Sequence, residues 1–208
     1  MSFSVNKLRG FTLIELMISI VIGLIILSAV IGIFISMIKA DNDNLKAIRL
    51  NQELRAAMSL ISREIRRAGA NRNAAFNTST TPPNNPFTVA GGTRLTISGN
   101  IQGDPNSCIT FSYDANDGSN ELYGYRLNST DGTIEARANA ALCAANGWLT
   151  ITDEDLVNIT VLSFMDTTTT EAGINSRQIT TTLGGQLRSD PTIKRTLTET
   201  VKVRNDEI

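Results

Sequence analysis

The stretch from Lys7 to Ile38, KLRGFTLIELMISIVIGLIILSAVIGIFISMI, constrains the fold of this chain more than any other, because it sets one carboxylate, Glu15, near the start of an otherwise uncharged apolar run. The run from Phe11 to Ile38 is about 28 residues, enough to cross a bilayer core of about 30 Å as a helix. A carboxylate inside it costs about 3 kcal/mol on insertion scales, and ionisable residues within a membrane usually have a functional partner. Lys7 and Arg9 form a basic flank that the positive-inside rule keeps in the cytoplasm, and Gly10 breaks the chain just ahead of the apolar run. A cut after Gly10 would free the amine of Phe11 about one helical turn from Glu15, in the same chain or in an assembled neighbour. At an effective dielectric near 20 such a pair is worth up to about 4 kcal/mol, which offsets part of the burial cost. Glu15 therefore reads as an assembly handle.

Two plainer readings fit less well. A secretory signal peptide would carry its small-residue cleavage site after the apolar stretch, where this chain reads Ser36-Met37-Ile38-Lys39-Ala40-Asp41 without that pattern. A plain signal anchor explains the apolarity and the basic flank but gives Glu15 no role. The residues Arg9-Gly10-Phe11-Thr12-Leu13-Ile14-Glu15-Leu16, followed by the apolar run, resemble the class III signal of type IV pilins and type II secretion pseudopilins. The resemblance covers roughly the first 30 residues. It implies cleavage between Gly10 and Phe11 by a prepilin peptidase and N-methylation of Phe11. It also implies that Glu15 guides the subunit into a growing fibre by pairing with a neighbour's terminal amine.

Removing the leader takes Lys7 and Arg9 from the basic side chains and leaves 17 against 20 acidic ones, a balance that directs the protein to no nucleic acid. The residues beyond the apolar run suffice for one domain with its own core. Cys108 and Cys143 lie on the non-cytoplasmic side of the span, where a disulfide is expected; two buried free thiols are the alternative.

The helix is expected to continue past the membrane. In DNDNLKAIRLNQELRAAMSLISREIRRAG, the residues Leu50, Leu54, Ala57, Ile61, Ile65 and Ala68 recur at three- and four-residue steps and form one apolar stripe. The arginines of the last turn suit the negative end of the helix dipole, and Gly69 is expected as the C-cap. A continuous helix from Phe11 to Arg67 would be about 85 Å long. Gly23 and Gly32 weaken its apolar half, and the resemblance to type IV pilins implies that Gly32 is a candidate for local melting on assembly.

From Asn71 to Gly92 the chain turns polar and proline-rich, the composition of a long surface connection, and the resemblance to pilin-like proteins implies that it is a candidate contact surface. Strands are expected at Leu95–Ser98, Cys108–Tyr113, Glu121–Leu127 and Thr133–Ala136, with Asp-Gly turns at Asp117-Gly118 and Asp131-Gly132 making a three-stranded antiparallel meander of the last three. The run from Asp114 to Glu121 resembles a calcium loop, but its glycine falls fifth instead of sixth and no glutamate stands at the twelfth position, so a hairpin turn is expected and no metal. Trp148 is expected as a core anchor. Leu156–Met165, Gln178–Leu187 and Thr196–Val203 form a second antiparallel set with one buried and one wet face, and the helix stripe is the obvious cover for a sheet face.

Nothing points to catalysis or a cofactor. The chain has no histidine, and Asp153-Glu154-Asp155, its densest carboxylate group, sits in a polar turn with no nucleophile beside it. The helix end Leu60–Gly69 and the closing Thr200-Val201-Lys202-Val203-Arg204-Asn205 resemble the PilW family of minor pilins, related to the J-type pseudopilins of type II secretion. That resemblance implies an α+β, type IV pilin-like fold with a long N-terminal helix packed on an antiparallel β-sheet domain. Its parts are a leader at 1–10, a transmembrane half-helix at 11–38, an amphipathic half at 39–69, a connection at 70–94 and the sheet domain at 95–208. The implied role is a minor pilin that primes assembly of a type IV pilus and caps its tip. Its implied partners are the prepilin peptidase, other minor pilins and the major pilin, and inner-membrane lipid before assembly, with the C-terminal domain in the periplasm. A J-type pseudopilin is the alternative. A further one is a pilus-associated adhesin or DNA-uptake component acting through the 71–92 connection or through Arg63, Arg66, Arg67 and Arg72.

Overall fold

The computed structural model describes residues 10–70, 95–115, 122–138, 142–171 and 174–203. The basic flank at Lys7 and Arg9, Arg72 and nearly all of the 70–94 connection lie outside them. So do the Asp117-Gly118 turn with most of the calcium-like stretch, and Arg204-Asn205. The chain divides into two compact units, Met1–Leu45 and Lys46–Ile208. One helix, α1 (Leu13–Arg67), begins in the first and ends in the second.

The first unit contributes the apolar part of α1, which is long and apolar enough to cross a membrane. Its polar side chains other than Glu15 do not spoil that surface. The hydroxyls of Ser19, Ser28 and Ser36 donate to the carbonyls of Glu15, Ile25 and Gly32 at 2.7, 2.8 and 3.0 Å. These bonds to the preceding turn satisfy the donors without water, as a lipid-facing helix requires.

In the second unit the expected stripe is the buried one: Leu50, Leu54, Ala57, Ile61, Ile65 and Ala68 all lie in the core, with Met58 beside them. The helix ends where the sequence stops it. Gly69 takes the left-handed conformation (φ +73°) that favours glycine at a helix C-terminus. Its N–H donates to the Ser112 carbonyl at 2.8 Å, and Asp114 N–H donates to the Ala70 carbonyl at 2.8 Å, so the cap is tied directly to the end of the second strand.

Among the described residues, eight strands follow in two antiparallel sheets. The first has the order β1 (Thr96–Ser98), β2 (Cys108–Ser112), β3 (Leu122–Asn128), β4 (Thr133–Arg137) and β5 (Trp148–Thr150). The second has the order β6 (Val157–Glu171), β7 (Ile174–Leu187) and β8 (Lys194–Lys202). The arrangement is α+β: a long N-terminal apolar helix with antiparallel sheets, and in the second unit the amphipathic end of α1 shares one core with both of them. The meander is present as β2–β3–β4, with β1 and β5 added at its flanks.

Three glycines show what the backbone requires. Gly132 closes the β3–β4 turn at φ +66°, and a Cβ there would fall 1.8 Å from the Asn158 side-chain oxygen. A Cβ on Gly124 would meet the Ile109 carbonyl at 2.6 Å and the Trp148 ring at 3.2 Å. On Gly185 of β7 it would crowd Leu54 of α1 at 3.2 Å and Ile159 at 3.3 Å, so glycine lets the helix close onto the sheet. The register of β6 shifts between Ile159 and Val161, next to this contact.

Trp148 departs from expectation. It is half-exposed on the short edge strand β5 and is not part of the core, whose aromatic centre is Phe111 and Phe164. Its indole N–H donates to the Leu142 carbonyl at 3.1 Å, and its ring covers the Arg126 guanidinium at 4.8 Å. The physical reason is the indole's mixed character: one face is apolar enough to shield a cation, and its N–H needs an acceptor near the surface.

Candidate functional site

The residues from Gly10 to Glu15 are all exposed. Gly10 is exposed, and a Cβ there would meet no atom within 4 Å beyond the glycine and its two chain neighbours. The fold itself thus makes no demand for glycine at position 10, and a demand from outside, such as a binding cleft that closes on the backbone, would account for it. Phe11 is 85% exposed. Thr12 starts the helix: Leu16 N–H donates to its carbonyl at 3.2 Å, and Glu15 N–H approaches its hydroxyl at 3.4 Å.

Thr12 is therefore an N-cap with a glutamate three residues on, the spacing of a capping box. This local role of Thr12 and Glu15 was missed in reading the sequence, although the Thr-x-x-Glu spacing signals it. It also supplies a plain reason for Glu15, since a carboxylate in the first turn suits the positive end of the helix dipole. The magnitudes decide between the readings. The dipole contributes about 0.3–1 kcal/mol against an insertion cost of about 3 kcal/mol, so capping alone does not account for an acid within a lipid-spanning run.

Two charged clusters among the described residues of the second unit tie separate segments together. At the end of α1, buried Glu64 accepts hydrogen bonds from the Tyr113 hydroxyl, from Arg63 Nε at 3.1 Å and from Arg67 at 3.5 Å. The Arg67 guanidinium lies 4.1 Å above the Tyr113 ring, which stacks on Tyr123 at 4.1 Å. Burial, followed by the hydrogen bond to Glu64, pushes the Tyr113 hydroxyl well above the ordinary phenol range, so it remains a donor. Arg66 pairs with Glu199 at 3.2 Å. Three of the four arginines considered for a nucleic-acid surface are thus engaged within the chain.

The other cluster pins a loop. Cys108 of β2 and Cys143 form a disulfide with Cα atoms 6.0 Å apart. Cys108 faces Arg126 across the β2–β3 ladder. The Arg126 side chain pairs with Glu135 at 2.6 Å and donates to the carbonyls of Cys143 and Ala145 at 2.7 and 2.9 Å. One covalent bond and one buried guanidinium therefore hold the same loop. The sequence signal for the ion pair is weak, because Arg126 and Glu135 meet only through the β3–β4 register.

The cysteine bridge predicts a faster-migrating non-reduced form that Cys143→Ser abolishes on a gel run with and without reductant. Closing a loop with a sequence separation of 35 is worth about 4 kcal/mol on the chain-entropy model. Arg126 still holds the loop in Cys143→Ser, so the measured loss in a denaturant melt is expected to fall below that figure.

Of the Asp153-Glu154-Asp155 group, Asp153 has a structural role. Asp153 accepts from the N–H groups of Asp155 and Leu156 at 3.0 and 3.3 Å and caps the turn before β6. Among the described residues no group of histidine, cysteine, aspartate or glutamate side chains could hold a metal ion.

Comparison with known families agrees with this distribution of features. Residues 6–38 match the prokaryotic N-terminal methylation motif, and residues 43–203 match the family described as prepilin peptidase-dependent protein B. No curated protein and no solved structure gives a match. The first match spans Gly10, Phe11 and Glu15, and the second covers most of α1 beyond the apolar run together with all eight strands. With a prepilin-type signal ahead of a membrane-anchoring helix and a matched α+β unit behind it, the chain belongs to the prepilin peptidase-dependent protein B family, as a pilin-like structural subunit.

Proposed function

We propose that the chain is a minor pilin of the PilW type, cut between Gly10 and Phe11 by a prepilin peptidase and N-methylated on Phe11. It then enters a type IV pilus, where it primes assembly and sits at the tip. The observation that carries this reading is Glu15, an acid in a lipid-spanning helix whose cost local capping does not meet. A terminal amine on a neighbouring Phe11 would supply the missing partner. The exposed Gly10 supports it, because nothing in the chain's own packing accounts for glycine there.

The Cys108–Cys143 disulfide supports an oxidising compartment for the second unit, which for a single span with a basic cytoplasmic flank is the periplasm. Its partners on this reading are the peptidase, inner-membrane lipid before assembly, and then other minor pilins and the major pilin. A J-type pseudopilin would share each of these features. Deletion of the gene separates the two: loss of surface pili with secretion intact supports the minor pilin, and the reverse supports the pseudopilin. The DNA-uptake reading draws less support, since Arg63, Arg66 and Arg67 already have acidic partners.

Gly10→Val tests the leader without disturbing the fold, because a side chain at that position meets nothing. The expected outcome is an uncut precursor that accumulates in the inner membrane, seen on an immunoblot as a band heavier by the leader. Normal maturation of this variant would contradict the assigned cleavage site.

A further inference from the structure

The two edges of the second sheet differ. On the β6 side, Ile159 N–H donates to the Gly132 carbonyl at 2.7 Å and Phe164 N–H to the Asn106 carbonyl at 2.8 Å, so turns of the first sheet cover that edge. On the β8 side the ladder itself identifies the free groups. Leu187 N–H donates to the Ile193 carbonyl at 3.1 Å and Val203 N–H to the Arg177 carbonyl at 3.0 Å. Both pairs continue the β7–β8 register, in which Gln186 faces Lys194 and Gln178 faces Lys202. Bonded and non-bonded pairs alternate along an antiparallel ladder, so the odd-numbered residues of β8 bond to β7. The even-numbered Lys194, Thr196, Thr198, Thr200 and Lys202 turn their N–H and C=O groups outward. All five are exposed, and among the described residues none supplies those groups with a partner.

A groove of about 440 Å³ runs along this edge, between Arg55, Met58 and Ser59 of α1 and Leu197, Thr198 and Glu199 of β8. The inward-facing side chains of β8 point toward the helix, as the Arg66–Glu199 pair records. A strand laid beside β8 would extend the sheet and drop alternate side chains into the groove beside Leu197 and Met58.

Charge selects the occupant. Lys194 and Arg195 stand at one end of β8, Lys202 at the other and Arg55 at the groove, while Glu199 is engaged by Arg66. Two copies paired antiparallel about Thr198 would set Lys194 against Lys202 twice, and in-register parallel pairing would set each lysine against itself. Like charges directly opposite are unfavourable, and lysine at strand ends is a common guard against self-association. The centre of the strand, from Thr196 to Thr200, carries no such guard against a different chain.

We propose that β8 is the docking edge for an extended segment of another polypeptide, which adds as a fourth strand with small or apolar residues toward the groove and acidic residues opposite Lys194 and Lys202. This contact is separate from the one assigned to Glu15, and either stands without the other.

Amide hydrogen exchange followed by NMR on the full chain in detergent micelles tests it, with two synthetic nine-residue peptides as probes. Both alternate valine and threonine; one carries glutamate at each end and the other lysine. In the free chain the amides of Lys194, Thr196, Thr198, Thr200 and Lys202 are expected to exchange fast and those of Leu197, Glu199 and Val201 slowly. The glutamate-ended peptide at millimolar concentration is expected to slow the five outward amides at least tenfold, and the lysine-ended one to leave them unchanged. Thr198→Pro removes one outward donor while sparing the bonds to β7, and should weaken the effect at least tenfold. The double variant Lys194→Glu with Lys202→Glu should transfer protection to the lysine-ended peptide, which also decides the matter if the proline variant does not fold. Slow exchange of the five amides in the free chain, or equal or absent protection by both peptides, would overturn the proposal. Leader processing scored on the same preparations reports on the N-terminal reading independently.

Discussion

Glu15→Ala is expected to be cut and N-methylated like the wild-type chain and then to be absent from sheared fibres, with recruitment reduced at least tenfold. Removing the carboxylate makes the membrane helix easier to insert, by about 3 kcal/mol on insertion scales, so the variant should not be lost from the membrane. It also forfeits the first-turn charge, a loss of about 0.3–1 kcal/mol that a 55-residue helix tolerates. What remains is the attraction between the acid and a terminal amine, up to about 4 kcal/mol at close range and an effective dielectric near 20, enough to set a large recruitment ratio. Quantitative immunoblots of sheared fibre and membrane fractions measure it. Glu15→Asp, which keeps the charge one methylene shorter, should retain part of the recruitment. Equal recovery of Glu15→Ala in both fractions would assign the residue to capping alone.

Glu135→Ala should strongly destabilise the second unit. It leaves Arg126, whose side chain is only 6% exposed, without its carboxylate. Breaking a buried ion pair by removing one partner costs about 3–5 kcal/mol, because the remaining charge stays desolvated. The carbonyls of Cys143 and Ala145 continue to accept from Arg126, which places the expected loss toward the lower end of that range. Denaturant unfolding of the full chain in detergent reads it. The double change Arg126→Met with Glu135→Leu should recover much of the loss, since apolar residues of similar volume often replace a buried pair at little cost. A loss below about 1 kcal/mol for Glu135→Ala would show that water reaches the guanidinium.

The sequence was most legible where a periodic pattern met a strong chemical boundary. The stripe from Leu50 to Ala68 could face only a core, and Gly69 ended it as a glycine with positive φ. The β2–β3–β4 meander followed from alternation between turn residues. What escaped was whatever depends on pairing across the sheet. β5 is three residues long, and its Trp148 turns its ring to Arg126, whose place beside the disulfide loop follows from the ladder. β6 extends to Glu171 through Thr167–Thr170, a run with no apolar alternation, because its support there is the ladder to β7 and not the core. The requirement for glycine at Gly124 and Gly185 likewise arises from neighbours distant in sequence, Ile109, Trp148 and Leu54. In the N-terminal segment the reverse holds. Gly10, Phe11 and Glu15 were singled out from sequence because their register with the apolar run carries the matched motif, and the cap at Thr12 was overlooked.

Intact-mass and N-terminal peptide analysis of the protein purified from its own membranes, with the peptidase active, tests the central claim most directly. The expected result is a mature chain that begins at Phe11 and carries an N-methyl group. A chain still beginning at Met1 would contradict it, leaving a signal-anchored protein in which Glu15 has no terminal amine to meet.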